Sequence, residues 1–208
     1  MATGLIDNIE WLGHSGFRII KDIVIYIDPY EISGGPPADM ILISHSHYDH
    51  CSPDDVNRIL KKETVIITEK SCVKKLQGHV RPVQPGDSVG IAGVTVDVVP
   101  AYNINKTFHP RANGWLGFII DINGERIYHA GDSDIIPEMK TFKTDIALLP
   151  VSGTFVMTAK EAVEAALILK PQIAVPMHYG EVVGDIEDAR AFQKGLGGKI
   201  EVRILEKK

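Results

Sequence analysis

The sequence of 208 residues predicts a single α/β domain, spanning residues 1–208, in which helices flank two sheets. Two observations point there. Strand-like runs meander through the early part of the chain, and strand–helix units are dispersed through the later part. No repeat, low-complexity tract or linker divides the chain.

The elements follow in order. Residues 6–12 mix apolar and polar side chains in near alternation and read as a strand. Gly13-His14-Ser15-Gly16 turns the chain, and residues 17–20 return it. A third strand over 23–27 ends at Asp28-Pro29, and Gly34-Gly35-Pro36-Pro37 is a loop. Met40-Ile41-Leu42-Ile43 is an apolar run of the kind that forms a buried strand. Ser52-Pro53-Asp54-Asp55 starts a helix over about 53–61: Ser52 is its N-cap, Pro53 its first position, and the two acids complement the dipole. Residues 64–67 are strand-like and 69–76 a short helix. Residues 80–100 are rich in β-formers, with 88–91 and 94–99 joined near Ala92-Gly93. The polar stretch 101–114 is too long for an idle connection and is a candidate functional loop. Asn123-Gly124 marks a hairpin between strands 115–122 and 126–129. Residues 146–149 form another buried strand. Thr158-Ala159-Lys160-Glu161 fits a capping box opening a helix to about 169. A strand over 173–175, a helix over 187–194 and a strand over 200–205 complete the chain.

Composition narrows the function. A net charge of −5 argues against general nucleic-acid binding, which needs a basic surface. No apolar run approaches the roughly 18 residues that span a bilayer. The first seven residues lack a basic region followed by an apolar segment, so no signal peptide is expected. Two cysteines, Cys51 and Cys72, are too few and too unpatterned for a disulfide framework. A cytoplasmic location is the expectation, with Cys51 a small buried thiol.

The chemistry concentrates in Ser44-His45-Ser46-His47-Tyr48-Asp49-His50, directly after the buried strand. Neutral imidazole and carboxylate are the ligands that borderline divalent metals prefer. In an extended segment His45 and His47 point the same way and can chelate one ion together. The turn before Ser52 can aim Asp49 and His50 at a second. More donors must come from elsewhere. His178, in Pro176-Met177-His178-Tyr179-Gly180, stands at a strand end before a glycine turn. Asp132, in Ala130-Gly131-Asp132-Ser133, also stands just past a strand end, where open α/β sheets build their sites. His109 lies in the long polar loop. His79 and His129 read as structural.

In that order, His45-x-His47-x-Asp49-His50, His109, Asp132 and His178 resemble the metallo-β-lactamase fold superfamily over nearly the whole chain. Trp11-x-Gly13-His14-Ser15, Asp28-Pro29, Ala130-Gly131-Asp132-Ser133 and Pro176-Met177-His178-Tyr179 look like the metal-dependent hydrolases related to L-ascorbate-6-phosphate lactonase. More distantly they resemble N-acyl-phosphatidylethanolamine phospholipase D. The resemblance implies a four-layer αββα sandwich with the metals at one edge between the sheets. It assigns His45, His47 and His109 to one metal, Asp49, His50 and His178 to the other, and Asp132 as a bridge. Related flavodiiron oxygen reductases usually carry Glu where this chain has His47, and need a flavin domain that 208 residues cannot accommodate.

Two divalent ions about 3.5–4 Å apart would hold an activated water and polarise a carbonyl or phosphoryl oxygen, so hydrolysis of an ester-like bond is expected, of a phosphorylated lactone for example. The donor set suits zinc first and manganese second. Asp49 is the candidate proton carrier. His14 and Tyr179 are further catalytic candidates, through hydrogen bonds to substrate or a developing oxyanion. Asp28 is a candidate to orient a ligand imidazole. Lys106 and Arg111, flanking His109, are candidates to bind the anion of a small substrate. The competing readings are a phosphodiesterase or nuclease of the same fold and a non-catalytic metal or ligand sensor. Partners other than a small substrate, nucleic acid and membrane included, are not expected, and a homo-oligomer stays open.

Overall fold

A computed structural model describes residues 4–208; residues 1–3, part of the stretch read for a leader, lie outside it. Ile9–Gly13 (β1), Gly16–Ile20 (β2), Val24–Ile27 (β3), Met40–Ile43 (β4), Val65–Thr68 (β5) and His79–Pro82 (β6) pair in that order into one sheet. It is antiparallel from β1 to β3 and parallel from β3 to β6. The second sheet holds Ser88–Ile91 (β7), Val94–Pro100 (β8), Leu116–Ile122 (β9), Glu125–His129 (β10), Ile146–Pro150 (β11), Ile173–Met177 (β12) and Glu201–Val202 (β13). Its strands also pair in chain order, antiparallel from β7 to β10 and parallel from β10 to β13.

The expected four layers form because β4 is apolar on both faces. Met40 and Leu42 enter the core between the sheets, while Ile41 and Ile43 pack outward against Val56 and Ile59 of the helix Pro53–Ile59 (α1). All four are fully buried. At about 1.5–3 kcal/mol for each large apolar side chain, that burial makes β4 a stiff platform for the histidines that follow it. On the other side, Ala159–Leu169 (α2) and Ile186–Leu196 (α3) cover the second sheet. Both open on capping boxes, Thr158 with Glu161 and Asp185 with Asp188. The first of these matches the sequence reading. The hairpin at Asn123-Gly124 also forms, with φ of 55° and 88°.

Three expected elements differ. Residues 4–8 are a 3-10 turn rather than the start of a strand: it buries the adjacent Leu5 and Ile6 together, which a strand with one buried face cannot do. The helix expected over 69–76 shrinks to a 3-10 turn at Val73–Lys75. The Glu69 carboxylate there accepts from the backbone and hydroxyl of Ser71 and from the Cys72 thiol, a local alternative to helical bonding. The last strand is two residues long, because only Glu201 and Val202 meet β12.

Candidate metal centre

The donors gather where the strands of both sheets end. Ser44 to His50 follows β4, His109 lies in the loop after β8, Asp132 follows β10 and His178 follows β12. The Leu116 amide donates to the Ser44 carbonyl at 3.0 Å and ties the sheets together at this edge. After His47 the chain turns sharply, with the amides of His50 and Cys51 both bonding the His47 carbonyl. Ser52 then caps α1 by accepting from the Asp55 amide, as the sequence predicts.

Two donor groups result. His45, His47, His109 and Asp132 form one, and His14, Asp49, His50 and His178 the other; within each, one donor atom per residue lies within 4.8 Å of the rest. Asp132 joins them. Its Oδ2 is 3.1 Å from His109 Nε2, 3.1 Å from His178 Nε2 and 3.8 Å from His45 Nε2, and its Oδ1 is 3.4 Å from His50 Nε2. All seven residues that the resemblance assigns to metal therefore meet. The structure adds His14 to the second group.

Four of the imidazoles are held from behind. The Asp28 carboxylate accepts from the Ser44 amide at 2.7 Å and from the Ser44 hydroxyl at 2.5 Å, and it accepts His50 Nδ1 at 2.8 Å. Because the Ser44 hydroxyl donates to Asp28, its oxygen accepts from His45 Nδ1 at 2.9 Å. Asn103 Oδ1 and the Phe155 carbonyl accept from His109 Nδ1, both at 3.1 Å. Ser152 Oγ lies 2.9 Å from His178 Nδ1. Protons on the four Nδ1 atoms leave the Nε2 lone pairs aimed inward, as metal ligation requires. Asp28 thus holds the role expected of it. Ser44, Asn103 and Ser152 were not foreseen, since one hydroxyl or amide carries no recognisable spacing; only the adjacency of Ser44 to His45 hinted at its part.

These donors fit divalent metal. His50 Nε2, His109 Nε2 and Asp132 Oδ1 are buried with no hydrogen-bond partner, an arrangement that is costly unless a cation satisfies them. Neighbouring groups set the charge on each donor. Burial pushes the His45 and His47 imidazoles below their usual range, His50 and His109 adding to the effect. Burial opposes charge on Asp132, but His178 and His50 outweigh it and hold the carboxyl well below the ordinary range. Burial likewise opposes charge on Asp49, yet the bond from His14 leads the causes that bring it down to about 2. Burial would lower His50, but Asp132 and Asp28 raise it well above the usual imidazole value.

The backbone is strained at the same place. His14 (φ 48°), Asp28 (φ 42°) and His178 (φ 61°) adopt left-handed conformations that non-glycine residues seldom take. The His14 carbonyl accepts from the Trp11 indole at 3.0 Å and the His178 amide at 2.8 Å, fastening two of these residues to each other. Gly131 is needed before Asp132: a Cβ there would stand 2.5 Å from the Leu116 carbonyl oxygen.

The remaining candidates fall as follows. His14 Nε2 bonds Asp49 Oδ2 at 3.0 Å in a buried contact. Tyr179 is buried and stacks on Trp11 with ring centroids 4.8 Å apart; it does not line the cavity at the metal centre. Lys106 pairs with Asp134 at 2.5 Å, and Arg111 with Glu138 at 2.9 Å. Neither cation lines that cavity. His129 is structural, its Nε2 bonded to the Ser15 carbonyl, and His79 is exposed on β6.

A family model described as "Beta-lactamase superfamily domain" matches residues 8–178. A UPF0173 metal-dependent hydrolase of Thermococcus onnurineus (strain NA1) is 32% identical, over 95% of this chain and 96% of the relative. Another, from Thermococcus kodakarensis, is also 32% identical with the same coverage. A solved structure from Parabacteroides distasonis ATCC 8503, named as a candidate metal-dependent hydrolase, superposes with a TM-score of 0.85 at 35% identity, covering 96% of this chain and 93% of its own. Igni18, a metallo hydrolase of Ignicoccus hospitalis, shares the fold at 23% identity, with a TM-score of 0.75 and coverage of 95% and 94%.

Proposed function

The chain belongs to the beta-lactamase superfamily domain family and, with it, to the UPF0173 metal-dependent hydrolases, and we propose that it hydrolyses an ester-like bond, lactones and thioesters included, at a dinuclear centre. The observation that carries this reading is the placement of Asp132, whose carboxylate is within 3.8 Å of histidines from both donor groups. His45, His47 and His109 would hold one ion, and Asp49, His50 and His178 the other. Zinc suits this set of imidazoles and carboxylates, with manganese the alternative.

When bound, two such ions supply a Lewis acid for the substrate's carbonyl oxygen and lower the pKa of a water. Hydrolysis then joins the water oxygen to the acyl carbon, breaks that carbon's bond to the leaving oxygen or sulfur and delivers a water proton to the departing alkoxide or thiolate. Asp49 is the group placed to carry that proton. It lines the cavity, and the hydrogen bond from His14 outweighs burial and keeps it ionised and able to accept. His14 fixes which way the Asp49 carboxylate faces. Asp28 and Ser44 keep His45 and His50 in one tautomer, so no proton is misplaced onto a ligand nitrogen. Trp115 packs on the first group, its ring 4.7 Å from that of His45 and 4.8 Å from that of His47. The proposed setting is the cytoplasm, in keeping with two free, buried cysteines.

The test is a panel of lactones, thioesters and phosphodiesters given to metal-loaded protein. Turnover of a carboxylic ester or lactone that is lost in His47→Ala is expected. Faster cleavage of the phosphodiester would favour the phosphodiesterase reading. Intact metal binding with no turnover across the panel would favour a sensor.

A further inference from the structure

Four of the residues lining the cavity of about 230 Å³ are metal donors: His47, Asp49, His109 and Asp132. The walls are of another kind: Tyr48, Phe108, Phe155 and Val182. Phe108 and Phe155 meet edge to face, with ring centroids 4.7 Å apart at 83°. Tyr48 is 65% exposed and Phe108 48% exposed, so two of the six large apolar side chains exposed among the described residues stand on this one rim. Scattered exposed apolar residues need no explanation, but a cluster over a reactive centre does.

Walls and floor are built by the same segments. Tyr48 lies between His47 and Asp49, Phe108 precedes His109, and the Phe155 carbonyl accepts from His109 Nδ1. The apolar rings are therefore held in register with the donors. Charge separates the substrates this mouth admits. No lysine or arginine lines the cavity. Lys106 is committed to Asp134, Arg111 to Glu138 and Lys75 to the Ser46 carbonyl. A charged group on the substrate's flank would lose its water with no cation but the metals to compensate it, and would face the carboxylates of Asp49 and Asp132. An uncharged apolar flank loses nothing of the kind and gains from burial. The size limits it further: an apolar cavity of about 150 Å³ accommodates benzene, so this one admits a single ring or a short alkyl chain.

Resting on the hydrolase reading above, we propose that the substrate is a neutral ester or lactone whose acyl side carries a short apolar chain or one aromatic ring, seated between Tyr48, Phe108, Phe155 and Val182, and not a phosphorylated or otherwise anionic one. The reaction joins water's oxygen to the acyl carbon and breaks the acyl carbon–oxygen bond, releasing the apolar acid and an alcohol from an ester or a single hydroxy acid from a lactone.

The experiment has a kinetic and a binding arm. The kinetic arm compares p-nitrophenyl acetate, butyrate and hexanoate with the mono-ester of adipate, whose chain ends in a carboxylate, on metal-loaded protein. The value of kcat/KM should rise roughly 16-fold from acetate to hexanoate, about twofold for each of the four added methylenes in a half-open pocket. It should fall about as far again for adipate. The hexanoate-to-acetate ratio should collapse in Phe108→Ala/Phe155→Ala, and Val182→Lys should shift preference toward adipate. The binding arm follows benzyl alcohol, a neutral single-ring probe, by isothermal titration calorimetry with metal-free protein. Binding should be lost in the double variant, displaced by hexanol and unaffected by inorganic phosphate. A flat chain-length series, or a preference for adipate in the unaltered protein, would overturn the proposal. So would a probe indifferent to Phe108 and Phe155. Probe binding that depends on both rings, with no ester turned over, would support the apolar seat while sinking the hydrolase reading.

Discussion

The two donor groups use the same chemistry but differ in how they meet the cavity. His47, His109 and Asp132 of the first group and Asp49 of the second line it, whereas His14, His50 and His178 do not. The first group is backed by loops: Asn103 and Phe155 hold His109, and Trp115 covers the histidines. The second is backed by strained backbone and a buried acid, with His14 and His178 in left-handed conformations and Asp28 on His50. One group is built to meet substrate and the other to keep its place. Asp49 and Asp132 cross that division, each open to the cavity and bonded to a histidine behind it, Asp49 to His14 and Asp132 to His178.

Removing Asp132, the carboxylate that touches both groups, should break both halves at once. Asp132→Ala is expected to lower kcat/KM by about 1,000-fold or more, roughly 4 kcal/mol of lost transition-state stabilisation. Elemental analysis should find its metal content reduced in both groups together. Ser152→Ala and Asn103→Ala should then separate the halves. Ser152 is the hydrogen-bond partner of His178 Nδ1, so its loss should weaken the second group's metal by about 10–100-fold in chelator competition and spare the first. Asn103 shares His109 Nδ1 with the Phe155 carbonyl, so its loss should weaken the first group's metal by nearer the lower figure. Equal effects on both ions from either variant would erase the distinction.

The smallest effect belongs to an ion pair away from both groups. Asp39 is half-buried; burial would raise its pKa, but Lys61 at 2.5 Å and the Val24 amide hold it below the usual carboxylate value. Its folded pKa lies below the unfolded one, so the stabilisation is present above the unfolded value and is lost as pH falls through the folded value. Lys61→Ala should cost less than about 1 kcal/mol in denaturant unfolding at pH 7, with the difference vanishing in acid and metal content unchanged.

Much of the centre was legible before the fold. His45, His47, Asp49 and His50 fall within six positions after a buried strand, and their proximity follows from chain connectivity alone. Strand-end position nominated Asp132 and His178, and the long polar loop His109, but their assignment to metal needed the resemblance, because nothing local marks a residue so far along the chain as a neighbour. Lys106 and Arg111 show the limit. Beside a ligand in sequence, they read as anion binders, yet Asp134 and Glu138, brought in by another loop, take up both charges. The helix expected at 69–76 fails for a similar reason, since the choice of the Glu69 carboxylate between helix and local bonds is not written in its propensity.

By itself, then, the amino-acid sequence determined the order of elements, the buried strand and capped helix that frame the histidines, and the kinds of donor available. Those follow from side-chain periodicity and local hydrogen bonding, which act over a few residues. Tertiary structure alone decided that His14 joins the second group, which atom backs each imidazole, and that aromatic rings rather than cations wall the entrance. Each of those depends on contacts between segments far apart in the chain, where the partner's identity is set by how the two sheets pack.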